Sequence, residues 1–138
     1  MTTDSGYTEL ALDHAQSPRN PGLIESPSAV GMDVNPVCGD FLTLTLKIED
    51  GRITDAKQQI KGCSGAAIAA SVLTELLIGR SVEEAAGITR KSVLDALGGL
   101  PASKLHSAIL AEITLKKALA HYRETLRKGE STGPGAGA

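Results

Sequence analysis

Aromatic side chains are nearly absent from this sequence, whose 138 residues include one Phe, two Tyr and no Trp. Without aromatic rings there is no platform on which nucleic-acid bases or sugars stack. Positive charge is not in excess either, because 14 Lys and Arg stand against 16 Asp and Glu. Domains that bind nucleic acids are usually basic. We therefore expect no nucleic-acid partner and a core built from Ala, Leu, Ile and Val.

Long apolar runs are also missing, since no stretch approaches the roughly 18 apolar residues of a transmembrane helix. The N-terminal sequence MTTDSGYTEL has neither the basic region nor the apolar region of a secretory signal. We therefore expect no membrane partner, a cytoplasmic location, and two cysteines kept in the reduced state.

The length of the chain predicts one domain, which we place at residues 1–128. Residues 129–138 are rich in Gly, Ser and Pro and are predicted to form a flexible tail.

The centre of the chain predicts a β-hairpin. Residues 41–48 alternate between apolar and mostly polar positions, as a half-buried strand does, and residues 53–60 return after a turn. A two-residue loop would place Leu46 opposite Asp55 on the buried face. We therefore favour a register shifted by one residue, with an odd-length loop and a bulge at Gly51.

Apolar residues spaced three and four positions apart predict helices on both sides of the hairpin. The predicted elements are a short helix over 7–16, an edge strand at 28–34, a helix over 66–77, a capping box formed by Ser81 and Glu84, a short helix over 90–97, and a last helix of about six turns after Pro101.

The hairpin brings the two cysteines together. A turn at residues 50–51 places Cys38 beside Cys63 at the open end of the hairpin, with Asp40 alongside. Two neighbouring cysteines are equally typical of buried small side chains or of a disulfide, so the pair alone is a weak metal signal.

The surroundings of Cys63 strengthen that signal. Cys63 directly precedes an Ala-rich helix, whose free N–H groups favour a thiolate. His106 lies in the first turn of the last helix, where the helix dipole favours a neutral ring that can bind a metal. A single histidine is more often a surface or capping residue, and we interpret His14 and His121 as helix-surface residues. A thiolate, a carboxylate and an imidazole together suit zinc or an iron–sulfur cluster.

Five motifs follow one another with the gaps of a known family. They are Asp13-His14 with Pro18-Arg19-Asn20-x-Gly22, Cys38-Gly39-Asp40, Gly62-Cys63 followed by Thr74-Glu75, Leu100-Pro101-x-x-Lys104-x-His106, and Leu110-Ala111-Glu112. From about Tyr7 to Tyr122 the chain resembles the iron–sulfur cluster assembly scaffolds of the IscU/SufU type, also found as the N-terminal domain of NifU. The missing SufU-type insertion favours the IscU/NifU branch.

The resemblance implies a fold and a site. The fold is α+β, a three-stranded antiparallel sheet with helices packed on one side and a long C-terminal helix. The implied metal ligands are Cys38, Asp40, Cys63 and His106. Lys104 would stand near the site, within the segment Leu100, Pro101 and Lys104 that resembles a chaperone-recognition motif.

One position departs from the family. The third family cysteine, which directly follows the histidine and receives sulfur from the cysteine desulfurase, is replaced here by Ser107. A serine hydroxyl is a poor ligand for iron or zinc and cannot form a persulfide. A divergent natural member, an engineered Cys-to-Ser change and a paralogue that has lost assembly would each explain this residue.

Three functions compete at this point. The leading hypothesis is a scaffold, not an enzyme, that holds iron or a transient [2Fe–2S] cluster and works with a cysteine desulfurase, an Hsp70-type chaperone and apo iron–sulfur proteins. The second is a zinc-binding protein that does not assemble clusters by itself. The third is an enzyme in which Cys63 is the nucleophile and His106 the base.

Overall fold

The computed structural model describes residues 6–36 and 39–128, which form one three-stranded sheet and five helices. In chain order the elements are α1 (Glu9–Gln16), β1 (Ala29–Asn35), β2 (Asp40–Glu49), β3 (Arg52–Lys61), α2 (Ser64–Leu77), α3 (Val82–Ala86), α4 (Arg90–Leu97), a 3-10 turn (Ala102–Lys104) and α5 (Leu105–Arg127). The strands are antiparallel in the order β1-β2-β3, which confirms the predicted α+β class and the long last helix. The predicted tail and Cys38 lie outside the described residues. No described helix is long and apolar enough to cross a membrane.

The turn between β2 and β3 differs from the prediction. Asp50 and Gly51 form a two-residue loop in which both residues have positive φ, 54° and 75°. Paired positive φ values are typical of a type I′ turn, whose twist matches that of the two strands. The predicted odd-length loop and the bulge at Gly51 are therefore wrong.

The bulge lies instead inside the ladder. The register shifts between Lys47 and Ile48, where β3 contributes Thr54 as an extra residue. Beyond the shift, Leu46 lies opposite Ala56. The register is therefore shifted by one residue, as the burial of apolar side chains required. The bulge that causes the shift is at Thr54, three residues further along the chain than the predicted bulge at Gly51.

The helices pack on one face of the sheet. The even positions of β2, among them Leu44 and Leu46, are fully buried on this face. α5 crosses β1 and β2, while α2 lies against β3. The backbone of α5 approaches β1 so closely that a Cβ on Gly31 would lie 2.3 Å from the carbonyl oxygen of Thr114. Glycine is therefore required at position 31 for this contact.

The other face of the sheet is crossed by residues 20–28, which we call the strap. The backbone N–H of Gln58 donates to the carbonyl of Asn20, and Gly22 donates back to the carbonyl of Gln58, so the strap first pairs with the edge of β3. The N–H of Ile24 then donates to Thr45 Oγ1 in the middle strand. Thr45 is consequently buried although it lies on the face without helices.

His14 joins α1 to α2. Its ring is buried, with Nδ1 2.7 Å from Ser71 Oγ and Nε2 3.3 Å from a carboxylate oxygen of Glu75. The interpretation of His14 as a surface residue is therefore wrong, whereas His121 is exposed as predicted. Burial, followed by the positive charge of Arg19, lowers the pKa of His14 below its usual value of 6.5.

We predict that Gly31→Ala lowers the free energy of unfolding by roughly 1–3 kcal/mol, because the added methyl group overlaps the backbone of α5. Thermal unfolding followed by circular dichroism measures the change. Gly87→Ala is the matched control, since its Cβ would come no closer than 3.4 Å to a neighbouring atom. Equal melting temperatures for the two variants would contradict the packing described here.

We also predict that His14 makes the protein less stable as the pH falls below 6.5. Above this pH the ring is neutral in both states and contributes nothing. Below it the unfolded chain takes up a proton that the folded protein, with its lowered His14 pKa, does not, so stability declines until the folded-state pKa is reached. Denaturant unfolding between about pH 7 and pH 5.5 measures the slope. His14→Asn should flatten it and His121→Asn should not; unchanged slopes in both variants would refute the assignment.

Candidate metal centre

Three elements bring their ends together at one end of the sheet. β2 begins at Asp40, β3 leads through Gly62 to Cys63 at the start of α2, and α5 begins one residue before His106. Asp40, Cys63 and His106 each offer one ligand atom, and these atoms all lie within 4.8 Å of one another. The structure thus brings together three of the four predicted ligands, and Cys38 lies outside the described residues.

Asp40 is the neighbour that the other two ligands share. Its carboxylate is fully buried, and Oδ1 accepts a hydrogen bond from the backbone N–H of Cys63 at 2.8 Å. Oδ2 lies 3.5 Å from Cys63 Sγ and 3.6 Å from His106 Nε2. One oxygen therefore fixes the loop, while the other faces the thiol and the imidazole.

Gly62 makes room for this carboxylate. A Cβ at position 62 would lie 2.1 Å from Asp40 Oδ1, a distance that no real contact allows. At Gly62 the space is filled by the protein itself, through a contact between residues that are far apart in the sequence.

Cys63 stands at the N-cap of α2 as a free, partly exposed thiol. Its side chain makes no capping hydrogen bond to the helix. Tyr7, which the sequence placed inside the first helix, instead precedes α1, and its OH lies 2.9 Å from the hydroxyl of Ser64. Sequence reasoning missed this contact next to Cys63, because no local pattern links residues so far apart.

Ser107 is buried against the first turn of α2. It is 1% exposed, and its Oγ has no hydrogen-bond partner among the residues that the structure describes. A Cβ on Gly65 would lie 3.0 Å from this oxygen and 3.1 Å from the Lys104 side chain. Lys104 is therefore close to the start of α2. Leu100 and Pro101 are half-buried nearby in the chain, and Leu100 packs against the main core.

Comparison with known proteins identifies a family, several relatives and a shared fold. Residues 6–128 match the family model described as the NifU-like N terminal domain. The iron-sulfur cluster assembly scaffold protein IscU 1 of Archaeoglobus fulgidus is 46% identical over 116 residues, which cover 84% of this chain and 76% of that protein. The IscU scaffold protein of Haemophilus influenzae is 39% identical over 121 residues, with coverage of 85% and 95%.

A solved structure shares the fold. The putative iron-sulfur cluster assembly scaffold protein for the SUF system from Fervidobacterium islandicum AW-1 superimposes with a TM-score of 0.68 at 22% identity, over 85% of this chain and 98% of that one. Together with the family match over nearly all described residues, the relatives show that this chain belongs to the family of NifU-like N-terminal domains.

Proposed function

We propose that this chain is a scaffold on which iron–sulfur clusters are assembled and from which they are transferred. Iron or a transient [2Fe–2S] cluster would be held by Cys38, Asp40, Cys63 and His106. The observation that carries the proposal is the convergence of a carboxylate, a thiol and an imidazole within 4.8 Å at the end of the sheet. The names of the IscU relatives support it.

The exposure of the three ligands fits a cargo that enters and leaves. Asp40 is fully buried, whereas Cys63 is partly exposed and the His106 side chain is 19% exposed. Of the three described ligands, Asp40 would hold a metal from the buried side, while Cys63 and His106 would leave it accessible to solvent. The ligands of structural zinc sites usually close around the ion. Partial exposure of two described ligands favours a scaffold over a permanent structural site.

Asp40 gives the site one ligand that is already oriented. Because Oδ1 is held by the N–H of Cys63, Oδ2 is directed at the thiol and the imidazole without a metal to orient it. Hydrogen bonds of this kind around a metal ligand set its direction and affect metal affinity. The loop carrying Cys63 is therefore preorganised for metal binding.

The proposed partners follow from the cargo. A cysteine desulfurase would supply the sulfur, and apo iron–sulfur proteins would receive the cluster. An Hsp70-type chaperone would recognise Leu100, Pro101 and Lys104, which are all half-buried, and of which Lys104 lies beside the start of α2.

A second candidate is a zinc-binding protein that does not assemble clusters by itself. Two thiols, a carboxylate and an imidazole form a complete tetrahedral set for zinc. Ser107 favours this candidate, because its hydroxyl replaces the thiol that accepts sulfur in the family.

The first test is anaerobic reconstitution with ferrous iron and sulfide, followed by visible absorption. We predict the bands of a [2Fe–2S] cluster, their loss in Cys63→Ala and in His106→Ala, and their retention in the matched control His121→Ala. Bands that appear only in Ser107→Cys would show that the present chain does not assemble clusters alone. Stoichiometric zinc that resists exchange, with no cluster in either form, would favour the second candidate.

Gly62→Ala provides a second test of the centre. The added methyl group displaces the Asp40 carboxylate from the Cys63 amide, so we expect metal affinity to fall by about 10-fold to 100-fold. Titration with Co²⁺, followed by its visible absorption, measures the affinity. Gly87→Ala is the control for the substitution itself. An unchanged affinity in Gly62→Ala would contradict the proposed role of Asp40.

A further inference from the structure

The strap leaves the site end of the outer sheet face uncovered. Val34 and Phe41 are direct cross-strand partners there, 53% and 37% exposed, and Met32 beside them is 51% exposed. The next row of the sheet joins Asn35 to Asp40. An exposed apolar patch therefore lies one row away from a proposed metal ligand. Apolar patches of this kind often mark interaction sites.

The patch continues around the edge of β1 into a cavity. Val34 and Pro36 line one side of this cavity, and Ile109, Ile113 and His106 line the other. Its volume is about 150 Å³, similar to that of an engineered apolar cavity that binds benzene. One aromatic or branched apolar side chain would fill it. Because His106 forms part of the wall, a side chain that fills the cavity lies against one of the proposed metal ligands.

The charge around the patch is positive. Lys61 lies directly opposite Phe41, and Lys57 lies four residues away on the same face of β3, opposite Thr45. Within the described part of the chain, neither lysine forms an ion pair, whereas Lys117 near β1 is already paired with Asp33. An acidic surface would complement these two lysines.

A second copy of this chain would fit the patch poorly. Two copies facing each other through this patch would each contribute only the positive charge of Lys57 and Lys61, and the described residues of the patch include no acidic group that could pair with them. The patch therefore favours a different protein over self-association.

We propose that this surface, formed by Met32, Val34, Phe41 and Lys61 together with the cavity beside His106, docks an acidic partner protein that inserts one apolar or aromatic side chain. The proposal rests on the proposed function, because we assign this partner as the recipient of the cluster. A recipient must bring its own ligands to the metal, and docking against His106 places it there.

The experiment uses the apo form of an acidic [2Fe–2S] ferredoxin as the probe. Binding to the metal-free chain is measured by calorimetry and by amide chemical shifts, and cluster transfer is measured by circular dichroism. Val34→Ser and Lys61→Glu should each weaken binding and slow transfer by about tenfold, because central apolar anchors and complementary charges dominate such contacts. Leu126→Ser and Arg123→Glu, two exposed positions at the far end of α5, are the matched controls.

The rate at which the cluster is released to a small chelator measures cluster lability without any docking partner. We expect this rate to be the same in all four variants, and binding of the wild type to weaken as salt is raised. Wild-type binding in Val34→Ser and Lys61→Glu would overturn the proposal. A wild-type dimer in sedimentation that Val34→Ser dissociates would also overturn it. So would variants in which sulfur delivery from a desulfurase is slower but cluster transfer to the ferredoxin is unchanged. If the wild type forms no cluster, the scaffold function is refuted but the docking surface is not, because ferredoxin binding is measured without metal.

Discussion

The hydrogen bond from the Cys63 amide to the Asp40 carboxylate is the contact on which the centre depends. A buried carboxylate is costly unless its oxygens are satisfied, and the Cys63 N–H satisfies Oδ1 at the end of the sheet. The bond is possible only because Gly62 has no side chain to fill the space. It joins the first residue of β2 to the first turn of α2, and His106 adds the start of α5 from 3.6 Å. One carboxylate thus fixes the relative positions of three elements and of the groups proposed to bind metal.

The sequence predicted the parts of the fold that local pattern controls, and failed where distant residues decide. Alternation in β2 predicted the sheet, and the need to bury apolar residues predicted the shifted register. The apolar pattern required the shifted register but could not tell whether the extra residue lies in the loop or, as observed beyond the two-residue turn at Asp50 and Gly51, inside the ladder. His14 was misjudged because the groups that make its burial tolerable, Ser71 and Glu75, lie on a helix that follows the whole sheet.

The motifs that identify the family divide into two kinds. Asp40, Cys63 and His106 meet at the centre, but several other motif residues hold helices in place. The side chain of Asn20 donates to Thr74, which attaches the strap to α2, and the buried carboxylate of Glu112 accepts hydrogen bonds from the backbone and side chain of Arg90 at the start of α4. The bond from the Arg90 side chain lowers the pKa of Glu112 to about 2. A match to these motifs is therefore evidence for the fold, and the functional argument rests on the residues of the centre.

Ser107 occupies the position at which the family resemblance implies a cysteine. A buried hydroxyl without a hydrogen bond costs free energy, whereas a buried thiol behaves as a small apolar group. Among the described residues Ser107 Oγ has no partner, so the position beside Gly65 suits a cysteine better than the serine it holds. Asp40 and its glycine are nevertheless retained, together with Cys63 and His106. The Asp40 carboxylate also has a structural role, because its bond to the Cys63 amide joins β2 to α2 whether or not Asp40 binds a metal. Under the proposed scaffold function, cluster assembly would depend on sulfur brought to Cys38 and Cys63 or supplied as sulfide, because the hydroxyl of Ser107 cannot form a persulfide.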